Sequence, residues 1–530
     1  MPSTAAALSG RRPRGSLKAM RHRHFLPALA VLLASCGKDP AQSFAGLTRV
    51  SAASPFSAGC IAAGQTGTNY PNAEVEPRLA IDPLDAKHMV GVWQQDRWSN
   101  GGANGLGTGV TFDGGLTWTR TFVHYTLCSG GTFQRASDPW VTFAPDGTVH
   151  QIGFGFDGTD FKTAMLASRS SDGGLSWSPP VTLFGEDDAD TTIDKETITA
   201  DPHDAQTIYA VWDRLTGVNT PSSPTNTGPA WFTRSTDGGN SWETARIIYD
   251  PGQNAQTISN QIVVLPDGTL IDLLVISTNL NDPKNSPDNA AVLRSTDKGM
   301  TWSQPVPIAL MDEIVVVDPK QTTFDIRSGN IVPDIAVDGS SGALYVVWED
   351  ARFSGGTKEG IALSKSIDGG LTWMAPVRVN GVTTAQAFTP AIAVAQGGIV
   401  GVSYYDLRND NPGDNSHLLG TRWLATSRDG GATFQNTALS STFDIRNAPQ
   451  TVEQTPSGQR FAYFVGDYEG LVAVGASFLP LFVIANDGDT GNRTDVFARP
   501  ITSGPKVQVL VAADLAVAPP RVRTGLRRAF

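Results

Sequence analysis

The sequence predicts an all-β protein, a seven-bladed β-propeller built from four-stranded blades. The first observation behind this prediction is an octapeptide of the form S-x-D-x-G-x-T-W, with Thr or Ser at the first and seventh positions and Trp or Phe at the eighth, which occurs six times at steps of 59 to 71 residues. The second is a further repeat before each octapeptide, in which a short strand, a turn and another strand follow one another. A fixed period of this size is typical of repeat architectures, and a ring of blades protects the edge strands of each sheet.

Each octapeptide is predicted to form a hairpin turn with its own aromatic anchor. Its Asp can bond backbone N–H groups just ahead of it, and its Gly adopts backbone conformations that other residues resist. Its closing aromatic residue offers a large apolar surface for burial against a neighbouring sheet. The carboxylates assigned to this structural role are Asp113, Asp172, Asp237, Asp297, Asp368 and Asp429.

The strand pairs that precede the octapeptides supply the inner part of each predicted blade. In the first blade these strands are residues 76–81 and 90–93, and short alternating strands of this kind continue along the chain. A seventh copy, over residues 466–498, lacks the octapeptide and a fourth strand. Because residues 47–51 resemble the outer strand at 375–380, the N-terminal segment is expected to complete this last blade and close the ring. Six blades with an appendage is the alternative.

Length and charge restrict the class of protein. The chain has 530 residues, and a repeat fold can use such a length as one domain, expected here over residues 45–502. The formal net charge of -11 argues against a nucleic-acid partner. No apolar run reaches the length of a membrane-spanning helix.

The N-terminal segment has the pattern of an export signal. Basic residues 11–23 precede a short apolar run at 25–34, and Leu33-Ala34-Ser35-Cys36 follows. This ending resembles a bacterial lipobox, which implies that residues 1–36 are a signal ending at a lipidated Cys36 and that 37–44 form a linker. Gly37 favours the outer membrane by the same analogy. A plain secretory signal is the alternative.

Two further cysteines, Cys60 and Cys128, remain after such processing. Export favours a disulfide between them, because disulfides persist in oxidising compartments. If the blades lie as predicted, each cysteine precedes the inner strand of a neighbouring blade on one face. Two unpaired buried thiols are the alternative.

The octapeptide resembles the Asp-box, or BNR repeat, of the sialidase-like propellers, and six copies with an aromatic ending carry this resemblance. In that superfamily the Asp-box turns lie on the face away from the active site. The resemblance implies a glycan partner and a site in which three Arg hold the sugar carboxylate and a Glu activates a Tyr nucleophile. It also implies an Asp that protonates the leaving group.

The resemblance further implies where these groups lie in the chain. Arg78 occupies the place of the family's first Arg, and Arg327 is a candidate for the second. Tyr468 is the candidate nucleophile, with Glu196 or Glu469 as its base.

Asp138 or Asp96 is the candidate acid. This sequence departs from the family pattern, because Leu79-Ala80 stands where Ile-Pro is expected and residues 98–107 contain no carboxylate. No third Arg is identified.

Residues just before and within the inner strands are expected to converge on a central funnel, as a ligand site requires. The polar members of this set are Glu76, Arg78, Arg135, Asp138, Lys195, Glu196, Asn260, Gln261, Arg327, Asn330, Asp334, Asp467, Tyr468 and Glu469. Pairs at the ends of the second strands, Asp96-Arg97, Asp213-Arg214 and Asp350 with Arg352, are expected to be structural.

The sequence therefore predicts an exported, lipid-anchored propeller that recognises extracellular glycans, with sialidase-type hydrolysis as its possible chemistry. A non-catalytic surface scaffold that binds carbohydrate or protein is the alternative. No cofactor is expected, although the acidic loops at 186–190 and 487–489 offer oxygen ligands of the kind that calcium takes. A monomer is expected, whose only membrane contact is the lipid, and the tail at 503–530 is expected to be solvated.

Overall fold

A computed structural model describes residues 44–217, 226–282, 285–321, 323–455 and 458–500. These residues form an all-β structure with four short 3₁₀ segments, at Ala58–Cys60, Leu127–Ser129, Ala351–Ser354 and Ile445–Asn447. The predicted signal at 1–36, nearly all of the linker, the lipidation site Cys36 and the tail at 503–530 lie outside the described residues. No described helix is long and apolar enough to cross a membrane.

The first half of the chain contains β1 (Thr48–Arg49) and then three groups of antiparallel strands. The first group is β2 (Glu74–Ile81), β3 (Met89–Arg97), β4 (Ala103–Thr111) and β5 (Thr119–Phe122). The second is β6 (Arg135–Phe143), β7 (Val149–Phe156), β8 (Thr163–Ser170) and β9 (Val181–Glu186). The third is β10 (Thr191–Ala200), β11 (Ile208–Thr216) with the short β12 (Thr227–Gly228) beside it, β13 (Ala230–Ser235) and β14 (Arg246–Tyr249).

Three more groups follow, with a separate strand between the first two of them. The fourth group is β15 (Ala255–Val264), β16 (Leu270–Thr278), β17 (Asp288–Ser295) and β18 (Val306–Leu310), and β19 (Phe324–Arg327) comes next. The fifth is β20 (Asp334–Val337), β21 (Leu344–Asp350), β22 (Gly360–Ser366) and β23 (Val377–Arg378). The sixth is β24 (Ala387–Ala395), β25 (Ile399–Asp406), β26 (Leu419–Ser427) and β27 (Gln435–Ala438), with β28 (Phe443–Asp444) paired to β26.

The last part of the chain forms a hairpin and a seventh group. The hairpin is β29 (Gln450–Thr455) and β30 (Gly458–Phe464), and β19 pairs with β30 in parallel. The seventh group is β31 (Gly470–Val474), β32 (Ser477–Ala485) and β33 (Thr494–Ala498), and β1 is its outermost strand. Thr48 lies opposite Ala498 in this pairing, so the two ends of the described chain share one sheet.

The first strands of the groups contact one another in order. β2 contacts β6, β6 contacts β10, β10 contacts β15, β15 contacts β20, β20 contacts β24, β24 contacts β31, and β31 contacts β2. The middle strands are buried on both faces, because each group packs against its neighbours. Gly107 of β4 serves this packing, since a Cβ there would lie only 2.5 Å from the indole of Trp93.

The six octapeptide turns are built alike, and the fifth shows the pattern. Oδ1 of Asp368 accepts hydrogen bonds from the N–H of Leu371 and the N–H of Thr372, at 3.1 and 3.0 Å. The Thr372 hydroxyl donates to the second oxygen at 2.6 Å, and the Ser366 hydroxyl donates to the first at 2.8 Å. Gly370 has a φ of +80°, in the region that favours glycine. The carboxylate thus organises its own turn.

Neighbouring turns are joined by the residue that precedes the first Ser of the octapeptide. Arg234 donates to the carbonyl of Lys298 in the next turn at 2.7 Å, and Arg294 donates to the carbonyl of Gly369 at 2.8 Å. The turns therefore form a linked set at one end of the molecule, which we call the Asp-box face. Its members are residues 111–118, 170–177, 235–242, 295–302, 366–373 and 427–434.

Candidate functional site

A β-bulge near the start of the first strand recurs in five of the seven groups and brings charged side chains together. The bulged strands are β2, β6, β10, β15 and β24. The bulge residues with positive φ are Glu76, Asp138, Lys195, Ser259 and Thr389. Non-glycine residues at positive φ are uncommon and cluster at functional sites. Three separate groups place Glu76, Asp138 and Lys195 side by side in this way.

The Lys195 ammonium lies at the centre of a buried charged cluster. Its Nζ is 2.9 Å from Oδ2 of Asp467 and 3.6 Å from a carboxylate oxygen of each of Glu76 and Asp138. Asp467 also receives two bonds from the guanidinium of Arg327, at 2.9 and 2.6 Å. Although burial acts to raise the pKa of Asp467, the cations Arg327 and Lys195 outweigh it and hold that pKa well below its usual range.

Other carboxyls in the cluster keep their protons near neutral pH. Burial raises the pKa of Glu76 to about 8, although Lys195 opposes the shift. Burial raises the pKa of Asp194 to about 7, and the nearby Asp138 adds to the shift. In Asp138 itself the Lys195 ammonium and hydrogen bonds from Asp194 and Glu76 outweigh burial and lower the pKa. The cluster therefore combines neutral acids with an ionised carboxylate, the division that general acid–base chemistry needs.

Arg78, the predicted first carboxylate-binding Arg, is bound within the protein. Its guanidinium lies 3.2 Å from Asp334 of the fifth group and 3.9 Å from the ring centre of Trp140. It also donates to the carbonyl of Glu469. Gripping a ligand carboxylate requires a free guanidinium fork, and this fork is already occupied by Asp334.

Tyr468 and its two candidate bases do not form the predicted pair. The Tyr468 hydroxyl donates to the carbonyl of Pro139 at 3.4 Å, and its buried ring faces Lys195. Glu469 accepts instead from the Tyr405 hydroxyl at 2.7 Å. The buried carboxyl of Glu196 accepts no hydrogen bond from another residue of the described chain. Burial, followed by the nearby Glu76, raises the pKa of Tyr468 well above its usual value, so the hydroxyl stays protonated.

Two other predicted members of the funnel lie elsewhere. Asp96, the alternative acid, accepts from the Ser54 hydroxyl at 2.6 Å and the Asn72 N–H at 2.9 Å, and so holds the segment that precedes β2. Arg135 donates to Gln65 and to the carbonyl of Thr66 in the same segment. Both side chains serve to attach the N-terminal segment.

The predicted structural pairs at the ends of the second strands form in one case of three. Arg352 pairs with Asp350 at 2.6 Å. The other two arginines have other partners, because Arg97 donates to Gln94 of its own strand and Arg214 pairs with Glu186 of β9. Adjacent oppositely charged residues on a strand point to opposite faces, which explains these corrections.

A cavity of about 320 Å³ opens beside the charged cluster, at the end of the molecule away from the Asp-box face. Its charged wall includes Asp194, Lys195 and Arg327, and its neutral polar wall includes Gln256, Ser328 and Asn330. The β19–β30 pairing closes one side. Arg327 is paired with Asp467 and Arg460 with Asp325, so the cationic side chains of the wall are balanced by carboxylates.

The sequence prediction missed Asp194, Arg460 and the β29–β30 hairpin. Asp194 directly precedes Lys195 and Glu196, which were both predicted to line the funnel, and this adjacency was the signal that the sequence offered. The hairpin carries no octapeptide, and only the long separation between the sixth octapeptide and the seventh group indicated additional structure there.

The two loops considered for calcium have other partners where the structure describes them. Glu186 pairs with Arg214, and Oδ1 of Asp489 accepts from the N–H groups of Gly491 and Asn492. Among the described residues, no group of three or more His, Cys, Asp or Glu side chains is arranged to hold a metal ion.

Stability is expected to fall as pH rises from about 5 to about 9. Burial raises the pKa of Glu469 from 4.5 to about 8, and burial likewise raises that of Glu349 to about 8. The folded state binds these protons more tightly than the unfolded state does. Their contribution to the free energy of unfolding is therefore fully present below the pKa of the unfolded state and is lost as the pH rises through the pKa of the folded state.

One such group changes the free energy of unfolding by about 1.4 kcal/mol per pH unit between its two pKa values. Urea titrations at stepped pH values measure this slope, and Glu469→Gln is expected to make it shallower by removing one contributor. An unchanged slope in the variant would show that Glu469 ionises equally in both states.

The comparison with protein-family models agrees with the repeated octapeptide. Residues 230–465 match the model of the BNR repeat-like domain. Among curated proteins, no sequence matches this chain.

Several solved structures resemble the chain at low identity. The Hadza microbial sialidase Hz136 is 15% identical, with 78% of this chain and 73% of that chain covered and a TM-score of 0.43. The intramolecular trans-sialidase of Ruminococcus gnavus is 12% identical, with 70% and 95% covered and a TM-score of 0.42. An α-L-arabinofuranosidase of Fusarium graminearum is 14% identical, with 71% and 97% covered and a TM-score of 0.45.

Because these TM-scores are all below 0.5, the similarity to solved structures says nothing of the activity of this chain. The match to a family rests on the BNR repeat-like domain model alone. Residues 230–465 are similar to the BNR repeat-like domain, in agreement with the resemblance that the repeated octapeptide carries.

Proposed function

We propose that the described chain is a closed seven-bladed β-propeller that binds a glycan in the cavity at the end away from the Asp-box face. The seven strand groups support the blade count, and the contact of β31 with β2 supports closure. β1 supplies the outer strand of the seventh blade. In the proposed ring the starts of the first strands converge, and the cavity lies at the mouth of the central funnel.

The observation that carries glycan binding is the chemistry of the cavity wall. Gln256, Ser328 and Asn330 present amide and hydroxyl groups, which donate and accept hydrogen bonds as sugar hydroxyls require. Because Arg78 and Arg327 are each paired with a protein carboxylate, the wall favours hydroxyl-rich sugars over a grip on a sugar carboxylate. Sialidase-type hydrolysis therefore has less support here than glycan binding.

Glycoside hydrolysis is the second candidate function, and one observation favours it. Asp194 lies in the cavity wall with its pKa raised by burial to about 7, and it interacts with the ionised Asp138. A protonated carboxyl can give its proton to a leaving group, and an ionised carboxylate can activate water. In this mechanism Asp194, which lines the cavity, is the general acid, and the ionised Asp138, its hydrogen-bond partner, positions that carboxyl.

A glycan microarray and a panel of fluorogenic glycosides, including a sialoside and an arabinofuranoside, test both functions on the full chain. Gln256→Ala with Asn330→Ala is expected to abolish glycan binding, whereas Gln304→Ala, at an exposed site remote from the cavity, is expected to leave it unchanged. Asp194→Asn is expected to abolish turnover and keep binding. Binding that survives the double substitution would place the glycan elsewhere, and absence of any glycan signal would overturn the proposal.

A further inference from the structure

The Asp-box face exposes an unusual share of the large hydrophobic side chains. Seven of the thirteen such side chains that are exposed in the described part of the chain lie at this end: Leu84, Phe112, Leu116, Leu175, Met300, Ile367 and Leu371. Six of these occupy the second or sixth position of an octapeptide, and Leu84 lies in the neighbouring β2–β3 turn. In the third octapeptide the sixth residue, Asn240, donates a side-chain hydrogen bond to the Asp237 carbonyl. The six apolar side chains at these positions cannot do so, and their apolar character has no role in building the turn.

Both ends of the described chain also leave the molecule at the Asp-box face. The third strand of every group ends there, and β33 is the third strand of the seventh group. Thr48 pairs with Ala498 at that end of β33, and Phe44 packs edge-on against Phe497. Pro500 lies against the first octapeptide turn, 3.6 Å from where a Cβ on Gly115 would lie.

Chain length limits where a lipid on Cys36 can reach. Eight residue steps separate Cys36 from Phe44, and even a fully extended chain of that length spans only about 26–29 Å. A nine-residue strand such as β3 is already about 30 Å long. A lipid on Cys36 that is inserted in a bilayer therefore favours a membrane contact at the Asp-box face, because contact at the opposite, funnel end would need a fully extended linker.

We propose that the Asp-box face is a membrane-docking surface, on which the exposed hydrophobic side chains enter the lipid headgroup region while the funnel cavity faces away from the bilayer. The proposal rests on the lipidation that the sequence predicts at Cys36. Apolar side chains that enter the bilayer surface add to the membrane binding of a lipid-anchored protein and fix its orientation on the bilayer. The turn carboxylates do not oppose docking strongly, because each is bonded by the N–H and hydroxyl groups of its own turn.

The same orientation gives the basic tail a role. The chain continues beyond Pro500 from the Asp-box face, and its last residues include Arg521, Arg523, Arg527 and Arg528. Basic residues near a bilayer are attracted to anionic lipid headgroups. Vesicles that contain phosphatidylglycerol are therefore the appropriate test surface.

The test uses the full, lipid-processed chain in vesicles of phosphatidylethanolamine and phosphatidylglycerol. An environment-sensitive fluorophore is attached at Leu116→Cys or Leu371→Cys on the Asp-box face, and at Asp160→Cys in the β7–β8 loop at the funnel end as the matched control. Labelling is selective, because Cys60 and Cys128 are joined in a disulfide. We expect a blue shift and quenching by spin-labelled lipid at 116 and 371, and neither effect at 160.

A second measurement separates docking from tethering. Ile367→Asp with Leu371→Asp in the lipidated chain is expected to abolish the blue shift of a probe at position 116 while the protein stays on the vesicles.

Equal quenching at 116, 371 and 160, or a shift at 160 alone, would overturn the proposal. Retention on vesicles with no shift at 116 or 371 would show a flexible tether without a docking face, and would overturn it as well. If the same fraction of the Cys36→Ser variant and of the lipidated protein binds to the vesicles, the premise that a lipid on Cys36 anchors the protein is wrong.

Discussion

Replacement of Asp467 by Asn is expected to lower the free energy of unfolding by about 3–5 kcal/mol, the cost of removing one partner from a buried ion pair. Asp467 is buried and holds both Lys195 and Arg327, at 2.9 and 2.6 Å. Asn keeps the volume of the side chain but removes the negative charge, so the buried Lys195 ammonium loses its closest counter-ion. Urea unfolding of the full chain measures the effect.

The matched control is Asp160→Asn, because Asp160 also pairs with a lysine, Lys162, but on the surface. Exposed ion pairs contribute little to stability, so this variant is expected to unfold almost as the wild type does. Lys195→Met in addition to Asp467→Asn is expected to restore part of the stability, since the unpaired ammonium is then absent. If Asp467→Asn and Asp160→Asn have equal effects, the cluster is solvated and is not the buried site described above.

Removal of the Cys60–Cys128 disulfide is expected to lower the free energy of unfolding by about 4 kcal/mol, the loss of loop-closure entropy for a loop of this size. The two cysteines are 68 residues apart and lie with their Cα atoms 4.8 Å apart. The bond ties the segment before β2 to the connection between the first two strand groups. The double substitution Cys60→Ala with Cys128→Ala is compared with wild type by chemical unfolding.

Reduction of the wild-type protein with dithiothreitol supplies an independent route to the same state. The reduced wild type and the double variant are expected to have equal stability, and the reductant is expected to leave the double variant unchanged. A loss below about 1 kcal/mol in both would mean that the unfolded chain is not restrained by this loop.

The prediction of the octapeptide turns succeeded because each turn carries its own local signal. The octapeptide contains its turn-forming Asp, its glycines and its hydroxyl residues within eight positions, so its structure depends little on the rest of the chain. Asp368 and its five counterparts all form the expected turn bonds. The pairing of the N-terminal segment with the last strand was visible for a related reason, since residues 47–51 repeat the pattern of an outer strand.

The candidate site was predicted only in part, because side-chain partners are chosen by distance in space. The convergence of Glu76, Asp138 and Lys195 follows from equivalent positions in successive repeats, and these positions could be read along the chain. The partner of Arg78 could not, because Asp334 lies 256 residues away. Asp96, a candidate acid in the sequence, is a similar case, because its carboxylate accepts hydrogen bonds from Ser54 and Asn72.

The sequence alone determined the all-β repeat architecture and the turns at the Asp-box face, since these depend on local hydrogen bonding and on hydrophobic alternation. Tertiary structure decided which charges pair, which carboxyls keep their protons and where a cavity remains. Those properties depend on burial and on Coulomb energies that fall with distance through space, and neither quantity is encoded in spacing along the chain. Lys195 and Asp467 illustrate the difference, because they are 272 residues apart in sequence and 2.9 Å apart in the fold.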